Sequence, residues 1–193
     1  RAGKPVDAMR WFEKAVAERP SDVRLGLALI QARAAAGDRP GALEAAKALW
    51  SRRTNDLAVL AVLAQLQIDT GDSKAAQQTL REMTKLAAFD ADTLVRIGYL
   101  EIAAGHPEAA AYVAQKALQG RPGDLRALVL AAETALLAGE GDKATAWGNE
   151  IKGSHPASAE GYRIAGEVAL SHKQFAVAAD EYRQAFERQA TTS

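Results

Sequence analysis

Histidine is the side chain best suited to metal binding and to proton transfer near neutral pH, and this sequence has three: His106, His155 and His172. No two of them lie one helical turn apart, the spacing that would aim both at one metal ion, and Cys 0 removes thiolate ligands. No glycine-rich run ending in Lys-Ser or Lys-Thr is present to cradle a phosphate. Carboxylates are plentiful, but they are dispersed along the chain, and general acid–base work needs two of them facing one enclosed substrate. The histidines are therefore read as exposed loop residues, and no metal, cofactor or catalytic reaction is expected. What remains is the chemistry of binding. Trp11, Trp50 and Trp147 are read first as packing within an array of helices and second as rings facing a partner.

The elements that would position such residues must suit a chain of 193 residues, 48% hydrophobic and 25% charged, the balance of a folded soluble protein. A formal net charge of +0 gives no overall basic field to gather nucleic acid or an anionic membrane surface. The apolar runs Val59 to Leu63 and Leu125 to Leu137 stop well short of the roughly 20 residues a membrane span requires, so no direct insertion is expected. The absence of cysteine does not choose between a reducing cytoplasm and an oxidising periplasm. The opening Arg1-Ala2-Gly3, without methionine or a signal region, reads as a piece of a longer protein.

Internal repetition is the dominant signal. Gly3, Gly37, Gly71, Gly105 and Gly139 follow one another at about 34 residues, and in the same register run Ala8, Ala42, Ala76, Ala110, Ala144 and Ala178. A third column holds Ala15, Leu49, Met83, Ala117, Ile151 and Ala185, and a fourth holds Pro20, Thr54, Ala88, Pro122, Pro156 and Ala190. Each column has a physical reason. Gly37, Gly71 and Gly105 follow apolar helical stretches, where glycine takes the left-handed conformation that ends a helix. Pro5, Pro40 and Pro107 come just after, in the first turn of the next helix, where a missing amide proton costs nothing. The alanine column lets two helix backbones approach closely, and Pro20, Pro122 and Pro156 stop the second helix of their units. Between these marks Leu94, Ile97, Gly98 and Ile102, then Ala110, Val113, Ala114 and Ala117, keep a helical period, which leaves no place for strands.

The run Leu94, Ile97-Gly98, Gly105, Ala110, Ala117, Pro122 resembles the tetratricopeptide repeat pattern, as does Tyr162, Ala165-Gly166, Ala178, Tyr182, Ala185. The resemblance implies an all-α, right-handed superhelical solenoid of antiparallel helix pairs, about eleven helices in one segment. Residues 3–22 would form the second helix of a partial repeat, followed by repeats 23–56, 57–90, 91–124, 125–158 and 159–192, with further repeats expected on one or both sides. The sequence departs from the pattern at Gly26, at Arg33, Gln67 and Glu101 in the usual tyrosine position, and at Lys173 in place of the turn glycine. Loose packing is expected there.

In this family the first helices line a concave groove that holds a protein partner. By that resemblance the partner-binding residues would be Leu27, Gln31, Gln65, Ile68, Val95, Arg96, Tyr99, Ile102, Val129, Glu133, Arg163 and Glu167. The same apolar strip is equally compatible with burial between adjacent first helices. Of the Lys, Asn and Arg set with which chaperone-binding members grip a peptide carboxylate, only Arg96 has a counterpart. The expected function is a non-enzymatic scaffold taking a peptide or helix in the groove. Units such as Gly71-Asp72-Ser73-Lys74-Ala75-Ala76 also resemble the repeat arrays of bacterial exopolysaccharide export and PEP-CTERM sorting lipoproteins, which implies a periplasmic, cell-envelope setting. A cytoplasmic adaptor or co-chaperone, and the regulatory arm of an enzyme such as a glycosyltransferase, are the alternatives. Direct carbohydrate binding lacks a clustered aromatic platform in the sequence.

Overall fold

The computed structural model describes residues 3–191 of the backbone and 7–189 of the side chains; the side chains of Pro5 and Ala190, and the terminal Arg1, Ala2, Thr192 and Ser193, lie outside the described residues. Among the described residues every regular element is a helix: α1 (Gly3–Glu18), α2 (Val23–Ala35), α3 (Arg39–Trp50), α4 (Leu57–Asp69), α5 (Ser73–Leu86), α6 (Ala91–Ala103), α7 (Pro107–Gly120), α8 (Leu125–Leu137), α9 (Gly141–Ser154), α10 (Glu160–Ser171) and α11 (Phe175–Thr191). The protein is all-α.

Why the helices begin where they do is settled by a column not recognised in the sequence. Asp22, Asp56, Asp90 and Asp124 cap α2, α4, α6 and α8, each carboxylate accepting from backbone amides of the first turn that would otherwise be orphaned. Ser158 takes the same register ahead of α10, its hydroxyl accepting from the Glu160 amide. For Asp56 the bonded amides are those of Ala58 and Val59, at 2.9 and 3.3 Å. Asp56→Ala is therefore expected to cost about 1 kcal/mol and lower the melting temperature by roughly 2–4 °C, with Asp56→Asn largely silent. A thermal melt followed by circular dichroism checks this.

The helices end as the glycine column predicts. Gly37, Gly71, Gly105 and Gly139 have φ of 81, 77, 82 and 72°, and in each turn the following amide donates back to the carbonyl of the last helical turn, as Asp38 does to Arg33 at 2.9 Å. Lys173 stands in the same column and adopts φ 59°, so the turn survives without its glycine. Pro40 and Pro107 occupy the first turn of α3 and α7.

The chain forms two compact units, Arg1–Ala87 and Ala88–Ser193. In the first, α2, α3 and α4 bury Ile30, Ala42, Ala46, Leu49, Val59 and Leu63 together. In the second, Trp147 of α9 packs against three neighbouring groups of buried residues, including Ala135, Leu130 and Ile151. Ala42, Ala76, Ala110, Ala144 and Ala178 are all buried, as close helix approach demands.

The expected loose packing at the departures is corrected by the structure. A Cβ at Gly26 would lie 2.6 Å from Leu49 Cδ2, so the leucine fills the space left by the missing side chain. The polar residues in the tyrosine column each tie the first helix of a pair to the second or to the turn that leads into it. Arg33 donates to the Gly41 carbonyl at 2.9 Å and to Glu13 at 2.8 Å, while buried Gln67 accepts from Thr79 at 2.8 Å. Glu101, 2% exposed, lies 3.0 Å from His106 Nδ1. The expectation of exposed histidines is corrected in the same way. His106 sits against that buried carboxylate, and His155 Nε2 lies 2.8 Å from the Gly123 carbonyl of the preceding repeat. Only His172 is exposed.

Candidate functional site

The residues proposed from the sequence as partner-binding separate into three groups. In the first unit Leu27 and Ile68 are half-buried, while Gln31 and Gln65 are exposed, with Gln65 donating within its own helix to Asp69 at 2.8 Å. They form no linked set. Val95 and Val129, expected to face a partner, are 1% and 8% exposed. They belong to the core: Val129 packs with Leu128 and with Ile151 and Trp147 of α9, and Val95 stands beside fully buried Leu94. The groove reading of these two is corrected.

The third group does converge. Arg163 on α10 donates to Glu133 on α8 at 2.7 Å, to Glu167 at 2.5 Å and to Glu160 at 2.7 Å. Glu160 was not singled out in the sequence, although its position three residues before Arg163 is the spacing at which helical side chains meet. One guanidinium thus holds three carboxylates, which corrects the expectation that acidic groups stay dispersed. The geometry uses the rigid fork of arginine, which presents five donors in one plane. It engages all three guanidinium nitrogens and leaves the cluster with a surplus of negative charge.

Tyr99 on α6 borders this cluster. The residue is 42% exposed, and its partial burial, with the negative charge of Glu133 and a hydrogen bond to it, pushes the phenol up to about 12, against the opposing pull of Arg163. Burial and the charge of Glu167 likewise raise the Tyr182 phenol on α11. The three carboxylates and Arg163 lie on α8 and α10, and Ile102, half-buried, and Arg96, exposed, complete the α6 side. Exposed Leu137 and Leu170 stand on the same helices at their C-terminal ends. Such a surface can accept hydrogen bonds from a cation and offer an aromatic face and aliphatic edges.

The Tyr99 shift has a signed consequence. The neutral phenol is favoured in the folded protein, so its contribution to stability is complete below the ordinary value of 10.0 and is lost as pH rises through about 12. In an ultraviolet titration of phenolate formation, Tyr99→Phe should remove the highest-pH phase and Glu133→Gln should move that phase down. A Tyr99 that ionises with the solvent-exposed tyrosines would contradict the placement.

The family model "Tetratricopeptide repeat" matches residues 33–93 and 101–165, more than half of the chain. No curated protein matches the sequence. Among solved structures, MamA from Desulfovibrio magneticus is similar at 17% identity and a TM-score of 0.64, covering 87% of this chain and 95% of that one. YrrB, described as a TPR protein with an unusual peptide-binding site, is similar at 15% identity and a TM-score of 0.61, with 93% and 92% covered. A tetratricopeptide repeat protein from Parabacteroides merdae is similar at 17% identity and a TM-score of 0.63, with 96% and 87% covered. At these identities the likeness is one of fold.

Proposed function

Because this chain belongs to the tetratricopeptide repeat family, we propose that it is a non-enzymatic scaffold for another protein, and that the first-helix face of the second unit holds a segment of that partner. The observation that carries this reading is the linked set of Tyr99, Glu133, Arg163 and Glu167 drawn from three successive first helices, with the tyrosine ring left open to solvent. The surplus of carboxylates suits a partner segment carrying basic groups beside apolar anchors. The peptide-binding site in the description of YrrB supports a peptide as the type of ligand.

The setting we propose is a bacterial cell-envelope assembly, in exopolysaccharide export or PEP-CTERM sorting, on the periplasmic side. Its support is the alanine-rich, cysteine-free repeat unit with its Gly-Asp turn, as in Gly71 to Ala76. No described helix is long and apolar enough to cross a membrane.

The test is affinity capture of the full-length protein from its host, comparing the wild type with a Tyr99→Ala/Glu133→Gln variant. The variant should keep its helical signal and lose the captured partner. An unchanged partner set would remove this face from the function, and cell fractionation decides the compartment.

A further inference from the structure

A second recess lies on the other side of α8. Tyr112 of α7 and Trp147 of α9 stand among the residues lining a cavity of about 320 Å³, with Ala131 and Ala135 of α8 and Glu108 and Glu140 also around it. Ala131 and Ala135 lie on the side of α8 opposite Glu133, so this recess, walled by the second helices, shares no residue with the first-helix face.

Three observations set it apart. Within each unit the repeat offers such a notch between successive second helices, and the residues at the two register positions are Arg10 with Ala45, Glu44 with Thr79, Tyr112 with Trp147, and Ala146 with Glu181. Only one notch has an aromatic residue at both. Tyr112 is 62% exposed, so its ring is not spent on packing, whereas Trp147 is fixed in place by three groups of buried side chains. Finally, the charge around the recess is unbalanced: Glu140 is paired with Lys143 at 2.8 Å, but Glu108 has no ion-pair partner among the described residues.

Aromatic walls with one uncompensated carboxylate complement a cation, and the alanine lining suits an aliphatic stem behind it. We infer that this recess receives an arginine side chain of a protein partner. Arginine fits better than lysine because its planar, weakly hydrated head stacks on rings and pairs with a carboxylate at the same time. The chain itself stacks a guanidinium on an aromatic ring elsewhere, where Arg188 lies 3.6 Å from the Tyr162 ring centre.

The experiment uses the full chain with Trp11→Phe and Trp50→Phe, so that Trp147 alone reports by fluorescence. The probes are blocked tripeptides Gly-X-Gly in which X is arginine, citrulline, lysine or norleucine, and cellobiose. The arginine peptide should perturb Trp147 with a Kd on the order of 1 mM, as befits a single anchor. Citrulline, which keeps the shape and loses the charge, should bind about tenfold more weakly, and Tyr112→Ala should weaken the arginine peptide by about tenfold. Glu108→Gln provides the second variant, with an expected loss of about fivefold. The inference is overturned if citrulline, norleucine or cellobiose binds as tightly as arginine, if lysine matches it, or if no probe perturbs Trp147.

Discussion

Val95→Lys is expected to unfold the second unit and not merely to weaken partner binding. The side chain is 1% exposed on α6, between Leu94 and Ile97, which are fully buried as well. An ammonium placed there must either lose its hydration or lose its proton, and the longer chain overfills a site packed for valine. The combined cost is about 5 kcal/mol, comparable with the whole stability of many domains. In a repeat array the loss spreads to neighbours, because each helix pair buries its apolar face only against the next. Circular dichroism should show a large loss of helix in Val95→Lys, and hydrogen exchange should locate it in residues 88–193, while Tyr99→Ala remains folded. A Val95→Lys protein with wild-type helicity would mean that the position is open and that the groove reading of the sequence was right.

The contrast between those two residues shows what a repeat sequence makes legible. Glycine and alanine columns can be read directly because each answers a steric demand that one residue meets alone: Gly37, Gly71, Gly105 and Gly139 take a backbone conformation that side chains resist, and Ala42 to Ala178 sit where backbones nearly touch. The family, the helix count and the turns follow from these. Exposure of a first-helix residue is different, because it depends on the neighbouring helices. Val95, Val129 and Arg163 share one register position, yet two are core and the third is the hub of an ion network. Trp11 and Trp147 share another, and the first is 77% exposed while the second is held against α8.

Polar substitutions in the family pattern were misread for a related reason. Seen singly, Arg33, Gln67 and Glu101 look like failures to supply a tyrosine. Their compensating partners, Gly41, Thr79 and His106, lie 5–12 residues downstream. Each of these side chains makes a hydrogen bond to its partner, so the helix pair gains a specific link where the common pattern relies on an aromatic contact. The aspartate caps were within reach of the sequence, since Asp22, Asp56, Asp90 and Asp124 stand directly before apolar helices in the repeat register. The aromatic recess was not, because only the side-by-side placement of α7 and α9 brings Tyr112 and Trp147 to one cavity.

Arg163→Met should convert the first-helix network from a pH-tolerant feature into a pH-dependent liability. Methionine preserves most of the aliphatic stem, so packing changes little, but Glu133, Glu160 and Glu167 lose the cation that holds them together. These side chains are only 26, 34 and 35% exposed, and solvent cannot fully screen their repulsion. The loss near neutral pH is about 2 kcal/mol, below that for a fully buried pair. Its sign with pH is fixed by linkage. Protonation of the carboxylates relieves the repulsion, so the variant regains stability as the solution is acidified. The capping carboxylates of Asp90 and Asp124 run the other way. Hydrogen bonds from Thr93 hold Asp90 below its ordinary value, and at Asp124 the Ala127 amide and Arg121 outweigh burial, so their stabilisation is lost only below about 3.8. Melts at intermediate pH therefore isolate the network, and a deficit that does not shrink on acidification would show that Arg163 acts through packing alone. The same variant reads the charge sense of binding. With the guanidinium gone the face is more negative by one charge, so at neutral pH a basic partner segment should associate faster, and more steeply with falling salt, whereas an acidic one should be repelled.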